Sequence, residues 1–277
     1  MIEKILLADS GAGQAEAMIK TLMDLPCIQR ASVTVLHVVP SQVTTDEMTE
    51  KWEEGGKILA TAVQSLNLDP SHVSTMLKQG EPKDVVCQVA EDIGADLIIM
   101  GSRGLKRLQS ILENSVSQYV FQLSSRSMLL VRDDIYVKKL QRIMVALDNS
   151  ESAKDCLKLA LYLIRDVKGG QIILTHVTKG QKGPDSPDQD PVLVAAAEEA
   201  RKQGVSYKCV SKVGKAGEEI CSLVDEMGVD LLMLGSPDRR PSIAKGLPDL
   251  DRLLGTSLSD YIRVYANCPV LLTRTLA

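Results

Sequence analysis

Between Gly101 and Ser117 the chain reads GSRGLKRLQSILENSVS, directly after the apolar run DLIIM at 96–100. The residue types suit an anion. Glycines such as Gly101 and Gly104 let backbone N–H groups approach an oxyanion with no side chain in the way. Arg103, Lys106 and Arg107 make the arm cationic, and Ser115 and Ser117 add hydroxyl donors. Asn114, Ser115 and Val116 stand where a helix would begin, and a helix N-terminus offers unpaired N–H groups and a partial positive charge. The same residues also have a plain structural reading. The glycines would serve a turn, Ser115 would cap a helix, and the basic arm would be a solvated loop. Asp9, at the end of the apolar run 2–8, reads from its position as a cap for the first helix.

Elements must hold these residues in place, and the first half alternates two patterns. Short apolar runs at 2–8, 32–39, 73–77, 96–100 and 128–132 read as strands. Between them, apolar residues at three- and four-residue spacing predict helices at about 12–25, 45–66, 83–94 and 115–124. Such alternation indicates a parallel sheet with helices on both faces.

The pattern then repeats. KILLADSG at 4–11 is echoed by RIMVALDNSE at 142–151, and VTVLHVV at 33–39 by IILTHVT at 172–178. KQGEPKDVVCQVAEDIGADLIIMGS at 78–102 is echoed by KVGKAGEEICSLVDEMGVDLLMLGS at 212–236. Asp9/Asp148 and His37/His176 share an offset of 139, and Gly80/Gly214 and Gly101/Gly235 one of 134. Constant order with small shifts means a duplicated domain with altered loops. The boundaries fall at 1–135 and 140–277, joined by a short polar linker. The stretch KGQKGPDSPDQD at 179–190 reads as a surface loop that replaces the first part of the helix at 45–66.

Composition narrows the classes. The chain has 277 residues and a formal net charge of −4, without the basic stripe of a nucleic-acid binder. Aromatics make up 3%, too few for base-stacking platforms. No apolar run is long enough to span a membrane, and the N-terminus does not resemble a secretory signal. Six scattered cysteines without a CxxC pair read as buried free thiols of a reducing cytoplasm. Three histidines, none at ligand spacing, give no metal site. His37 and His176 read as structural, and Trp52 as a packing residue.

Taken in order, these motifs resemble the universal stress protein family in tandem form, over essentially the whole chain. The resemblance rests on the first-strand aspartate, the Leu-His-Val second strand, the Gly-x-Pro and Gly-x-Ala steps, and the ADLIIMGSRG strand with its loop. It implies α/β domains, each a five-stranded parallel sheet of order 3-2-1-4-5 with helices on both faces, of the adenine nucleotide alpha hydrolase-like type. It also implies pairing of the two copies through their last strands as an intramolecular pseudo-dimer, with a homodimer as a further assembly. The ATP-binding branch carries Gly-x2-Gly-x9-Gly-Ser/Thr. The first copy matches with Gly101, Gly104 and Asn114-Ser115, with Asn at one glycine position; Asn tolerates a left-handed backbone better than other non-glycine residues. The second copy gives Gly235, Asp238 and Gly255-Thr256 after a longer arm, an altered site in which Asp238 would oppose a phosphate.

With that strand order, the ligand crevice lies where the order reverses, between strands one and four. Ala8, Asp9, Gly101, Arg103, Gly104, Asn114, Ser115, Val116 and Ser117 would border it. By resemblance, Asp9 would lie near the ribose or adenine and Val38 would line the adenine pocket. The expected ligand is ATP, with or without Mg, or AMP or ADP, bound in the first domain of a cytoplasmic stress-response protein. The nucleotide would bias a conformation or an unidentified protein partner. No Walker lysine motif and no nucleophile–base set is present in the sequence, so an enzyme is not expected and any ATP hydrolysis would be slow. The alternative is an interaction or scaffold module of the same fold that binds no nucleotide.

Overall fold

The computed structural model describes residues 1–11, 14–41, 44–102, 116–180, 186–236 and 257–274. The chain forms two compact units. The first contains β1 (Lys4–Ala8), α1 (Gln14–Met23), β2 (Ser32–Val39), α2 (Thr45–Leu66), β3 (Val73–Gln79), α3 (Pro82–Asp92), β4 (Leu97–Ser102), α4 (Val116–Leu123) and β5 (Ser127–Arg132). The second contains β6 (Arg142–Leu147), α5 (Glu151–Ile164), β7 (Gln171–Thr178), α6 (Pro191–Lys202), β8 (Ser206–Val213), α7 (Ala216–Met227), β9 (Leu231–Gly235), α8 (Leu258–Tyr265) and β10 (Val270–Thr273).

Within the first unit the strands run β3-β2-β1-β4-β5, and within the second β8-β7-β6-β9-β10. All pairings inside each unit are parallel. This is the expected order 3-2-1-4-5, twice. Right-handed crossovers then place α1 and α2 on one face of the first sheet and α3 and α4 on the other, and each pair of helices is in contact.

The central strands explain why the sheet is parallel. Ile5, Leu6 and Leu7 of β1 are fully buried, as are Ile143, Met144 and Val145 of β6. Successive side chains point to opposite faces, so both faces are covered. The outer strands β3 and β8 are only partly covered, which accounts for their polar residues.

One aspartate in each unit ties the start of the central strand to its neighbour. Asp96 Oδ2, just before β4, accepts from the backbone N–H of Glu3 (2.8 Å) and Lys4 (3.0 Å). Asp230, just before β9, does the same for Gln141 (2.8 Å) and Arg142 (2.7 Å). The Gly-x-Asp-Leu repeat in the sequence is thus a duplicated clamp on register.

Helix ends follow local chemistry. Thr44 and Glu47 form a reciprocal capping box at α2, and Asn67 ends that helix in the left-handed region at φ 50°. Ser150 and Ser257 cap α5 and α8.

Three expectations need correction. Trp52 is 37% exposed on the outer side of α2 and does not pack in the core. Only Cys156 and Cys268 are buried; Cys27, Cys87, Cys209 and Cys221 are half-exposed, though all six are free. The 179–190 stretch is not a surface loop at its end. Asp190 is 1% exposed, caps α6 through the N–H groups of Val192 and Leu193, and lies 2.7 Å from His176 Nδ1.

Asp230→Ala should lower stability by about 1–3 kcal/mol, since two backbone donors lose a charged acceptor. The readout is a lower urea midpoint with an unchanged slope.

Candidate site at the carboxyl ends of β1, β2 and β4

In the first unit β1 lies between β2 and β4, so the order reverses at β1. Ala8 is in register with Leu36 on one side and Met100 on the other. The chain leaving β1 therefore emerges beside the ends of both neighbours. The Asp9 N–H donates to the Leu36 carbonyl (2.9 Å), which extends the pairing by one residue and fixes the aspartate at the crevice.

Asp9 is only 7% exposed. Its Oδ1 accepts from the Gly11 N–H (2.9 Å), a tight turn in which Gly11 has φ +82°. That conformation favours glycine, and a side chain there would also press on Ile58 of α2, 3.3 Å away. Asp9 Oδ2 is buried and receives no hydrogen bond from the described residues. Burial, with the Glu16 carboxyl nearby, pushes the Asp9 carboxyl up to about 6, against the pull of the Gly11 N–H and of His37. His37 Nδ1 lies 2.8 Å from the Asp9 carbonyl oxygen, so the imidazole donates there and fixes its own ring. Gly55 of α2 leaves room for that ring: a Cβ at position 55 would come within 3.0 Å of His37 Cδ2.

Ala8 and Val38 are partly exposed at the strand ends, with Val38 one residue beyond His37. Gly101 lies in β4 in register with Val131. Val116 and Ser117 open α4, and Ser117 is buried. A helix that follows a parallel strand starts at the strands' carboxyl edge, so α4 begins on the same side as Asp9 and Gly101. Arg103, Gly104, Asn114 and Ser115 lie outside the described residues. So do Asp238, Gly255 and Thr256 of the second copy.

The second unit departs from the first at the same place. Asp148 is exposed, and its Oδ1 accepts from the Ser150 N–H (2.9 Å) and hydroxyl (2.5 Å). It serves the start of α5 and has no buried oxygen of the kind found at Asp9. Gly235 is glycine for packing: a Cβ there would lie 2.4 Å from the backbone of Ser152. Asp148 and Asn149 also line a cavity of about 440 Å³ between α5 and α6, walled by Leu157, Leu161, Val192 and Ala196. Among the described residues no β9 residue lines it, so it is separate from the β6–β9 crevice.

Two residues at the first site carry no motif signal. Glu16 of α1 is 7% exposed, and its Oε2 lies 2.5 Å from the Ser65 hydroxyl of α2. Its only hint in the sequence is an acid on the inner face of a helix. Among the described residues no cluster of side chains could hold a metal ion, and no helix is long and apolar enough to cross a membrane.

The fold agrees with a match over both halves: the universal stress protein family model fits residues 1–132 and 139–274. The chain belongs to the universal stress protein family. Universal stress protein YxiE of Bacillus subtilis is 29% identical over 148 residues, 48% of this chain and all of that protein. Universal stress protein Sll1388 of Synechocystis is 33% identical over 92 residues, 33% of this chain and 60% of that protein. A universal stress protein from Archaeoglobus fulgidus has the same fold over 98% of this chain and 96% of its own, with a TM-score of 0.76 at 21% identity. This chain thus carries two universal stress protein domains in tandem, and they differ in the setting of Asp9 and Asp148.

The raised Asp9 carboxyl has a stability consequence. A folded-state value above the unfolded one means that ionised Asp9 costs stability, a cost absent at acid pH and incurred as pH rises through about 6. Asp9→Asn should therefore gain thermal stability over the wild type at neutral pH and lose that advantage near pH 4, as read by melting curves of both proteins.

Proposed function

We propose that the first unit binds an adenine nucleotide and that the protein acts through nucleotide-dependent conformation or partner binding. The observation that carries this reading is Asp9. It combines near-complete burial with a carboxylate oxygen that receives no hydrogen bond from the described residues, at the strand end where parallel sheets of this order take ligands. A buried acceptor left without a donor is costly, and a ribose hydroxyl or adenine amino group would satisfy it. Val38 would wall the base. The phosphates would lie toward Gly101 and the start of α4, where Val116 and Ser117 stand and where the sequence supplies Arg103, Gly104, Asn114 and Ser115. The ligand is ATP, with or without magnesium, or AMP or ADP. The protein is a binder in this reading and not an enzyme, and its setting is the cytoplasm.

The contrast with Asp148 supports one site per chain, since that acid is exposed and already hydrogen-bonded. Native mass spectrometry of the protein, as isolated and with Mg-ATP, tests the reading. One nucleotide per chain is expected, lost in Asp9→Ala and kept in Asp148→Ala. Two per chain would place a working site in the second unit as well. None at about millimolar ATP would favour an interaction module that binds no nucleotide.

A further inference from the structure

The second unit carries a hollow that the nucleotide reading leaves unused. It lies between α5 and α6 and has a volume of about 440 Å³, within the roughly 300–1,000 Å³ of small-molecule pockets. Its floor is apolar and buried: Leu147 at the end of β6, Leu157 and Leu161 from α5, and Val192 and Ala196 from α6. The space exists because α6 turns short side chains toward α5. Ala195 and Ala196 line it, within a run of three alanines at 195–197. In the first unit the two corresponding helices are tied together: Glu16 of α1 meets Ser65 of α2 at 2.5 Å, and Ile58 of α2 lies over Gly11. The hollow follows α5 from Lys154 to Leu161, two helical turns or roughly 10 Å. That is an elongated floor, suited to a chain.

The mouth is charged, and the signs are sorted by helix. Lys154 and Lys158 stand one turn apart on α5, and Glu198 and Glu199 stand on α6. Lys158 feels the charge of Glu199 as well as those of Asp155 and Glu151 on its own helix. Among the described residues the other charged group lining the hollow is Asp148, at one end and already bonded to Ser150. Lys154 pairs with Glu151 (2.6 Å), Lys158 with Asp155 (2.8 Å) and Glu199 with Lys202 (2.7 Å). These are exposed pairs within one helix, weak enough to exchange for a ligand. A ligand head of one sign would be drawn to one edge and repelled by the other. A head that carries both signs, set apart, meets each edge with its opposite.

We propose that the hollow between α5 and α6 binds one molecule of a single-chain amphiphile with a zwitterionic head. The chain lies on the leucine and alanine floor, where it displaces water from apolar surface. The anionic group faces Lys154 and Lys158, whose stems cover the chain, and the cationic group faces Glu198 and Glu199. The inference is independent of the nucleotide reading, since the hollow belongs to the second unit and is separate from the strand-end crevice.

Decylphosphocholine, kept below its micellar concentration, is the probe. Decyl sulfate and decyltrimethylammonium are single-charge chains of the same length. Calorimetry on the full chain is expected to give one site, with the zwitterion bound several-fold more tightly than either comparator. Ala195 is exposed and lines the mouth. Ala195→Trp would occupy the volume that the chain needs, and affinity is expected to fall about tenfold or more. Replacing both Lys154 and Lys158 by Glu is expected to turn the preference toward decyltrimethylammonium. The proposal is overturned by absence of binding, by equal affinity for the three heads, or by an Ala195→Trp protein that binds as the wild type does. If melting curves show that Ala195→Trp does not fold, methyl NMR of the wild type decides. Shifts at Leu157, Leu161 and Val192 on adding decylphosphocholine support the site, and shifts confined to other residues overturn it.

Discussion

Each unit depends on a central strand that is hydrogen-bonded to a parallel neighbour on both sides and covered on both faces. That constraint forces β1 and β6 to be almost wholly apolar. It also sends the connections on either side to opposite faces of the sheet, which leaves a crevice at the strand ends. The clamps at Asp96 and Asp230 hold the far end of the same strands by capturing the first two N–H groups of each pairing. Register, crevice and the position of the first polar residue beyond the strand all follow. Asp9 is that first residue in the first unit, held by one further backbone bond to Leu36.

The two units show how one fold diverges at one residue. The strands, the clamp and the glycine before the third helix recur. What differs is the partner of the first-strand aspartate and the length of the second helix. In the first unit α2 has 22 residues, and its Gly55, Ile58 and Ser65 reach His37, Gly11 and Glu16. These contacts help to bury Asp9 and a second carboxyl, that of Glu16. In the second unit α6 has 12 residues and begins at Asp190, which takes the histidine for itself. The aspartate there turns to Ser150, and a cavity remains between α5 and α6. A loop exchanged for half a helix accompanies the change from a buried acid to an exposed one.

Much was legible in the sequence because parallel strands buried on both faces read as continuous apolar runs. The runs at 2–8, 32–39 and 96–100 correspond to β1, β2 and β4, and the helix expected over 45–66 has those bounds. Duplication was legible from order and offset alone. Trp52 was misread because helical spacing does not say how far a large side chain projects past the covered face. Four cysteines were misread for the same reason: an apolar neighbourhood in sequence is not burial in space.

By itself the sequence determined two duplicated α/β units and the strand ends at which their polar residues gather, since hydrophobic periodicity and turn chemistry are local properties; the order 3-2-1-4-5 came from the family resemblance. It also named Asp9, by position. Only tertiary structure decided that Asp9 is buried with an oxygen that receives no hydrogen bond from the described residues, that Glu16 is buried against Ser65 of α2, and that Asp148 is exposed and already satisfied. The physical reason is distance along the chain. Glu16 meets Ser65 across 49 residues, and the charge state of a carboxyl depends on what packs around it in space, which no window of sequence contains.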